Sequence, residues 1–430
     1  MRDIQPAIDA EKIAREQIAE NFCPSPCFAD ITGRSTLLVG TRGSGKTMLL
    51  RRMLHDYNEH KGVAVYGDLG RKVLGAISSD TGMAGLSFNG LDSTVGCLVQ
   101  DKSLALLAFW LADQCMDKEL EPSYHLLWQV LPEGIRANAP RDARILAWLR
   151  DNLYSSDLSL YRSNPHTGAF VDFVSSLASM AQVKRGFPLL LLLDRAEEIP
   201  YPCLVPVLGL LDQSLPSLAI IACRPGILGP SPDMHPSLPI PGDHYDIKHL
   251  GMSPYTEEWR SFQMAVMSSW VPKCVRAMPP DALNLVLNIC RDSIRSALDV
   301  VYNSTDNDGI YSHQRSVNAV LVHQQMLLTA AQGRLRPLNN DLSSLIRRIR
   351  QATGFALPVL LQLRTCEQAP LFGSGASFGE STREEQLIRL GLRAGLFSMP
   401  DGELWHPYST ISAVELHPLF IWHDNDPWRF

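Results

Sequence analysis

Residues Gly40, Thr41, Arg42, Gly43, Ser44, Gly45, Lys46 and Thr47 keep the spacing GxxxxGK[ST], which suits them to hold a polyphosphate. Gly43 and Gly45 allow backbone N–H groups to turn inward around a β-phosphate, and the helix that follows, from Met48 on, adds its partial positive charge. Lys46 supplies an ammonium group between the β- and γ-phosphates, and Thr47 a hydroxyl for Mg²⁺. The expected ligand is ATP with Mg²⁺.

Such a loop needs an acid on a neighbouring strand to hold the metal from the far side. The segment PLLLLLDRAEEIP provides one, because five consecutive leucines read as a fully buried strand and Asp194 emerges at its C-terminal end. Asp194 is therefore the expected metal acid beside Thr47. Glu197 is the first choice for activating or orienting water, and Glu198 the second. On this reading a Glu197→Gln variant traps ATP.

These groups must be positioned by a βαβ unit. Ser35 to Val39 reads as a buried strand, the loop follows, then the helix MLLRRMLHDYN, then a second strand from Val63 to Asp68. Leu189 to Leu193, Leu218 to Ala222 and Tyr245 to Leu250 read as further strands. The fold class is thus α/β, a P-loop NTPase with a parallel sheet flanked by helices. Helical periodicity marks 4–20, with Ile4, Ile8, Ile13 and Ile18 on one side, and returns at 102–117, 140–153 and 168–184. Between them, 69–97 is rich in Gly and Ser and reads as an exposed insertion.

Beyond residue 250 the pattern is helical. Ser253 is placed to cap a helix that begins at Pro254, and 281–302 reads as a further helix. The polar run 303–309 reads as a linker, followed by helices near 311–331, 341–352, 356–366 and 383–394. LFSMPDGELW then reads as two short strands around a turn, so that helices plus a hairpin predict a winged-helix-like end. Four regions result: 1–30 as N-terminal helix and linker, 31–250 as ATPase core, 251–309 as helical lid, and 310–430 as the winged-helix-like domain.

The bulk numbers set limits on partners. The chain of 430 residues has 39 Lys and Arg against 45 Asp and Glu, a net charge of −6, so contact with nucleic acid has to come from a local patch. No run approaches the roughly 18 apolar residues of a membrane span, and the N-terminus has no apolar stretch behind its charges. The expected location is the cytoplasm. Nine scattered cysteines fit reduced thiols, and Cys23 and Cys27 have no second pair or His cluster to make a zinc site.

The series LLVGTRGSGKTMLLRRM, VAVYGDL, LLLLLDRAEE, AIIACRPG and CRDSIRSALDVV resembles AAA+ ATPases of the origin-recognition-complex type, especially their compact bacterial relatives, over roughly 20–303. The resemblance implies that Arg224 stands at the sensor 1 position and Arg295 at sensor 2, each near a γ-phosphate. It also implies a winged helix that binds duplex DNA, for which Arg383, Arg389, Arg393 and the run at 347–350 are available. Two features depart from that family's pattern. Arg195 stands where a catalytic Glu usually follows the metal acid, and no Arg or Lys lies between Pro225 and Ile247, where an arginine finger is commonly placed. Asp194, Glu197, Glu198, Arg224 and Pro225 also resemble the STAND class of signalling ATPases. The resemblance therefore implies a slow ATP switch coupled to a partner protein or DNA, as in bacterial defence against phage. The alternative is an origin-type ATPase acting on duplex DNA, and oligomers are open to both.

Overall fold

The computed structural model describes residues 13–334 apart from 14, 26–32, 61, 71–92, 154–166, 199–200, 213–214, 225–238, 251–256, 291–292 and 307, and beyond 334 it describes three short strands. Five parallel strands form the central sheet: β1 (Thr36–Gly40), β2 (Val63–Asp68), β3 (Leu189–Asp194), β4 (Ser217–Cys223) and β5 (Asp246–Leu250). Their spatial order is β2-β3-β4-β1-β5, so β4 separates the strand that ends in the phosphate loop from the strand that ends in Asp194. β1 and β3 are buried along their whole length. Helices cover both faces of such a sheet, which is why these strands are continuously apolar rather than alternating. Burying one leucine of this kind stabilises the fold by about 2 kcal/mol.

Helix α1 (Arg15–Asn21) precedes the sheet, and α2 (Lys46–Glu59) starts directly from the phosphate loop. α3 (Ser93–Met116) follows β2, then α4 (Tyr124–Val130), α5 (Glu133–Arg136), α6 (Arg144–Asn152) and α7 (Thr167–Arg185) lead into β3. α8 (Tyr201–Gly209) joins β3 to β4. Because α3 begins at Ser93, the predicted insertion at 69–97 is shorter at its C-terminal end; 71–92 lie outside the described residues. The predicted first helix is confirmed only as α1, which with Ile13 places Ile13 and Ile18 in the core; Ile4 and Ile8 lie outside the described residues.

The segment expected as a lid consists of α9 (Glu257–Trp270), α10 (Pro272–Ala277), α11 (Pro280–Cys290) and α12 (Ile294–Asn303). The expected single helix over 281–302 is divided, because the Ser293 hydroxyl accepts a hydrogen bond from Ser296 N at 3.2 Å and caps a new helix. Ser253 and Pro254 lie outside the described residues. Trp270 Nε1 donates to the Asn21 carbonyl at 3.0 Å, which ties the end of α1 to the lid.

The polar run 303–309 is anchored by two buried side chains, while Asn303 and Asp308 are exposed. Ser304 is fully buried, its hydroxyl lies 2.7 Å from that of Ser316, and Thr305 Oγ1 donates to Cys274 Sγ at 3.0 Å. Helix α13 (His313–Arg334) is thereby fixed against α12. A buried polar chain joins the two: Ser293 Oγ, Ser296 Oγ and His323 Nε2 are linked at 2.6 and 2.7 Å, and His323 Nδ1 lies 3.8 Å from Asp299.

Burial pushes the Asp299 carboxyl up to about 6, against the pull of the Arg295 charge one turn earlier. Its folded value therefore lies above the unfolded value of about 3.9, so the stability it confers as a neutral acid is present at low pH and is lost as pH rises through 6. Asp299→Asn is expected to stabilise the protein at pH 7.5 by on the order of 2 kcal/mol and to flatten the melting temperature between pH 4.5 and 7. A lower melting temperature in the variant at pH 7.5 would show that the charged form is held favourably by His323.

Near the C-terminus, β6 (Leu361–Gln362), β7 (Phe397–Ser398) and β8 (Ala413–Leu416) form an antiparallel sheet in the order β6-β8-β7. Two expectations change. Leu361 and Gln362 are strand where a helix was predicted over 356–366, and β7 pairs with β8 rather than across the turn at 400–402. An apolar run such as ALPVLLQL has no period that distinguishes helix from strand. The predicted helices at 341–352 and 383–394 lie outside the described residues, as does the segment Gly402–Trp405.

Candidate functional site

The C-terminal edge of the sheet gathers the phosphate loop, Asp194 and the start of α12. Gly43 and Gly45 adopt φ values of 85° and 100°, conformations that L side chains rarely take, and they curl the loop onto the start of α2. Gly45 caps α2 with no side-chain hydrogen bond to its first amides, so those N–H groups face the loop interior. Ser44 Oγ is buried with no hydrogen-bond partner among the described residues. Each of these features suits a bound anion.

Lys46 is buried, and its ammonium group donates to the Gly40 and Thr41 carbonyls at 2.6 and 2.8 Å. Burial pushes its pKa down to about 8, opposed chiefly by the charge of Glu197. The loop thus holds a cation satisfied by its own backbone, and phosphate oxygens are the natural exchange partners for those carbonyls.

Thr47 Oγ1 donates to Asp194 Oδ2 at 2.6 Å. A hydroxyl has one proton and two lone pairs, so giving the proton to Asp194 turns the lone pairs outward to a metal. The donor set of Thr47 and Asp194, both oxygen, fits Mg²⁺. Asp194 also accepts from Arg195 N at 2.9 Å and from the Tyr66 hydroxyl at 3.1 Å. Burial pushes its carboxyl up, while the Thr47 hydrogen bond draws it back.

Arg195 takes a positive φ of 60°, unusual for a side chain of its size, and its guanidinium lies 3.5 Å from Asp68 at the end of β2. Strand register places Asp68 opposite Asp194. The turn that follows, a short 3₁₀ helix over 196–198, swings Glu197 under the end of β4. There Glu197 Oε1 pairs with Arg224 Nε at 2.8 Å and Oε2 accepts from Arg224 N at 3.2 Å. Glu197 and Arg224 are therefore together, as expected of residues serving one site, but each is engaged by the other. The side chain of Glu198 lies outside the described residues.

Arg295 is brought to the loop through its backbone, since Arg295 N donates to the Gly43 carbonyl at 3.1 Å. A Cβ on Gly43 would lie 2.5 Å from Ser293 Oγ and 3.0 Å from Arg295 Cβ, so the start of α12 packs directly on the phosphate loop. Sequence reasoning missed Tyr66, Asp68 and Ser293. The first two sit in a strand that reads as filler until its position beside β3 is known, whereas Ser293 just before an apolar helix was a visible capping signal.

A parallel sheet flanked by helices, with a phosphate loop on β1 and an acid on β3, defines a P-loop α/β protein. Residues 7–61, which include α1, β1, the loop and α2, match the family model described as ORC-CDC6-like. That match supports an AAA+ nucleotide-dependent ATPase of the ORC/CDC6 type. Comparison with curated proteins finds no match. Among the described residues, no helix is long and apolar enough to cross a membrane.

Proposed function

We propose that the protein is a slow, Mg²⁺-dependent ATP switch that couples its nucleotide state to a partner, with anti-phage defence as the setting implied by its resemblance to compact bacterial relatives. The observation that carries this reading is the junction at Gly43, where the phosphate loop and the first residues of the lid helix share a hydrogen bond. Any rearrangement of the loop around phosphates is felt by α12 and by the helix fixed to it.

Lys46 would leave the Gly40 and Thr41 carbonyls for the β- and γ-phosphates. Thr47 and Asp194 would hold Mg²⁺, which when bound neutralises developing phosphate charge. Arg224, now paired with Glu197, would contact the γ-phosphate only after releasing it, and that release would free a carboxylate to orient water. The Glu197–Arg224 pair thus keeps turnover low until the site is completed. A second reading, action on duplex DNA, is favoured by the ORC-CDC6-like match, and it rests on arginines at 347–350 and 383–393 that lie outside the described residues.

Lys46→Ala tests the reading directly. ATP affinity measured by calorimetry is expected to fall at least tenfold, about 1.4 kcal/mol, with the melting temperature of the free protein little lowered. Equal affinity in the variant and the parent would remove the basis for a nucleotide switch.

A further inference from the structure

We infer that Tyr66 is a positioning residue for Asp194, holding its carboxylate turned so that Thr47 can present its lone pairs to Mg²⁺; this rests on the nucleotide-switch reading above. Asp194 is buried at the end of β3, where a polar group must be hydrogen-bonded. Among the described residues three donors reach it: Thr47 Oγ1 and the Tyr66 hydroxyl on Oδ2, and Arg195 N on Oδ1.

The three donors differ in what they can do. Arg195 N is a backbone group, fixed by the turn. Thr47 has a double duty, because the orientation of its single proton decides where its lone pairs point. The Tyr66 phenol, reaching Oδ2 from β2, is the remaining side-chain donor among the described residues, and its ring is held by the strand that pairs in register with β3. Loss of that hydroxyl would leave Oδ2 with Thr47 as its one side-chain donor among the described residues, and the carboxylate free to turn. A carboxylate that turns no longer fixes the direction of the Thr47 proton, and so of the lone pairs that face the cation.

Outer partners of this kind typically cost 10–100-fold in metal affinity when removed. Tyr66→Phe keeps the ring and removes only the donor. The experiment is a calorimetric titration with a non-hydrolysable ATP analogue at a series of Mg²⁺ concentrations, comparing the parent, Tyr66→Phe, Asp194→Asn and the double variant. The expected result is that Tyr66→Phe binds the analogue without Mg²⁺ within twofold of the parent, but needs at least tenfold more Mg²⁺ for half of the metal-dependent gain. In the Asp194→Asn background the tyrosine change is expected to add nothing, since a residue acting through Asp194 has nothing left to act on. A Mg²⁺ dependence of Tyr66→Phe that superposes on the parent would overturn the proposal, as would an effect of equal size in the Asp194→Asn background. If the parent binds no analogue at all, the switch reading itself fails, an outcome distinct from either of these.

Discussion

ATP turnover by the isolated protein should be slow and flat across a wide range of protein concentration, then rise on the order of a thousandfold when a partner completes the site. Two features lead to this expectation. Residues 225–247 carry no Arg or Lys, so a homo-oligomer joined in the usual AAA+ manner lacks a cation there for its neighbour's γ-phosphate. Within the chain, Arg224 is itself engaged, since its Nε pairs with one Glu197 oxygen and its backbone N donates to the other. An arginine supplied in trans contributes 10³-fold or more where such contributions have been dissected. The measurement is single-turnover hydrolysis at increasing protein concentration, alone and then with duplex DNA or cell extract fractions. Specific activity that climbs steeply with protein concentration alone would mean that a finger acts between copies, and Arg195 would be the first residue to replace.

Glu197→Ala should destabilise the fold by about 3–5 kcal/mol, a shift of roughly 150-fold to 5,000-fold in the folding equilibrium. The side chains of Glu197 and Arg224 are only 2% and 9% exposed, so deleting the acid leaves a guanidinium buried with its main counter-charge gone. Replacing both, Glu197→Leu with Arg224→Met, should recover much of the loss, because a buried pair is costly chiefly when half of it is removed. Urea midpoints of the two variants check this. A Glu197→Ala protein as stable as the parent would show that the pair contributes little and that Arg224 finds other partners. The same contacts change what Glu197→Gln means: a trapped ATP state remains the expectation for a water-activating acid, but it now includes the loosening of Arg224.

Strands and loop were readable because their signals are local. Five leucines in a row admit few alternatives to a buried strand, and GxxxxGK[ST] between strand and helix carries its own geometry. Asp194 and Thr47 could be paired in advance because both are required by one metal, and the structure brings them to 2.6 Å. Tyr66 and Asp68 could not be assigned in this way. Their role depends on β2 lying beside β3, and strand order is set by how helices pack on the sheet rather than by any motif in the strand. The division of the segment 281–302 into one helix ending at Cys290 and another starting at Ile294 was misread for the opposite reason. Apolar spacing continued across it, and the capping serine was outweighed by periodicity, although Ser293 turned out to matter twice, as a helix cap and as the residue packed against Gly43. Polarity likewise misled at 303–309, where serine and threonine hydroxyls are consumed in internal bonds instead of facing water.

The fixing of α13 to α12 has a mechanical meaning. With 22 residues at about 1.5 Å each, α13 is a rod about 33 Å long, fixed to α12 over its first half by Ser316, which meets Ser304, and by His323, which meets Ser296. Beyond His323 about 16 Å of the rod remains, so a tilt of about 10° carries its far end through about 3 Å. A change at the Gly43 hydrogen bond that tilts α12 would thus reach Arg334 as a displacement of roughly half a helical turn.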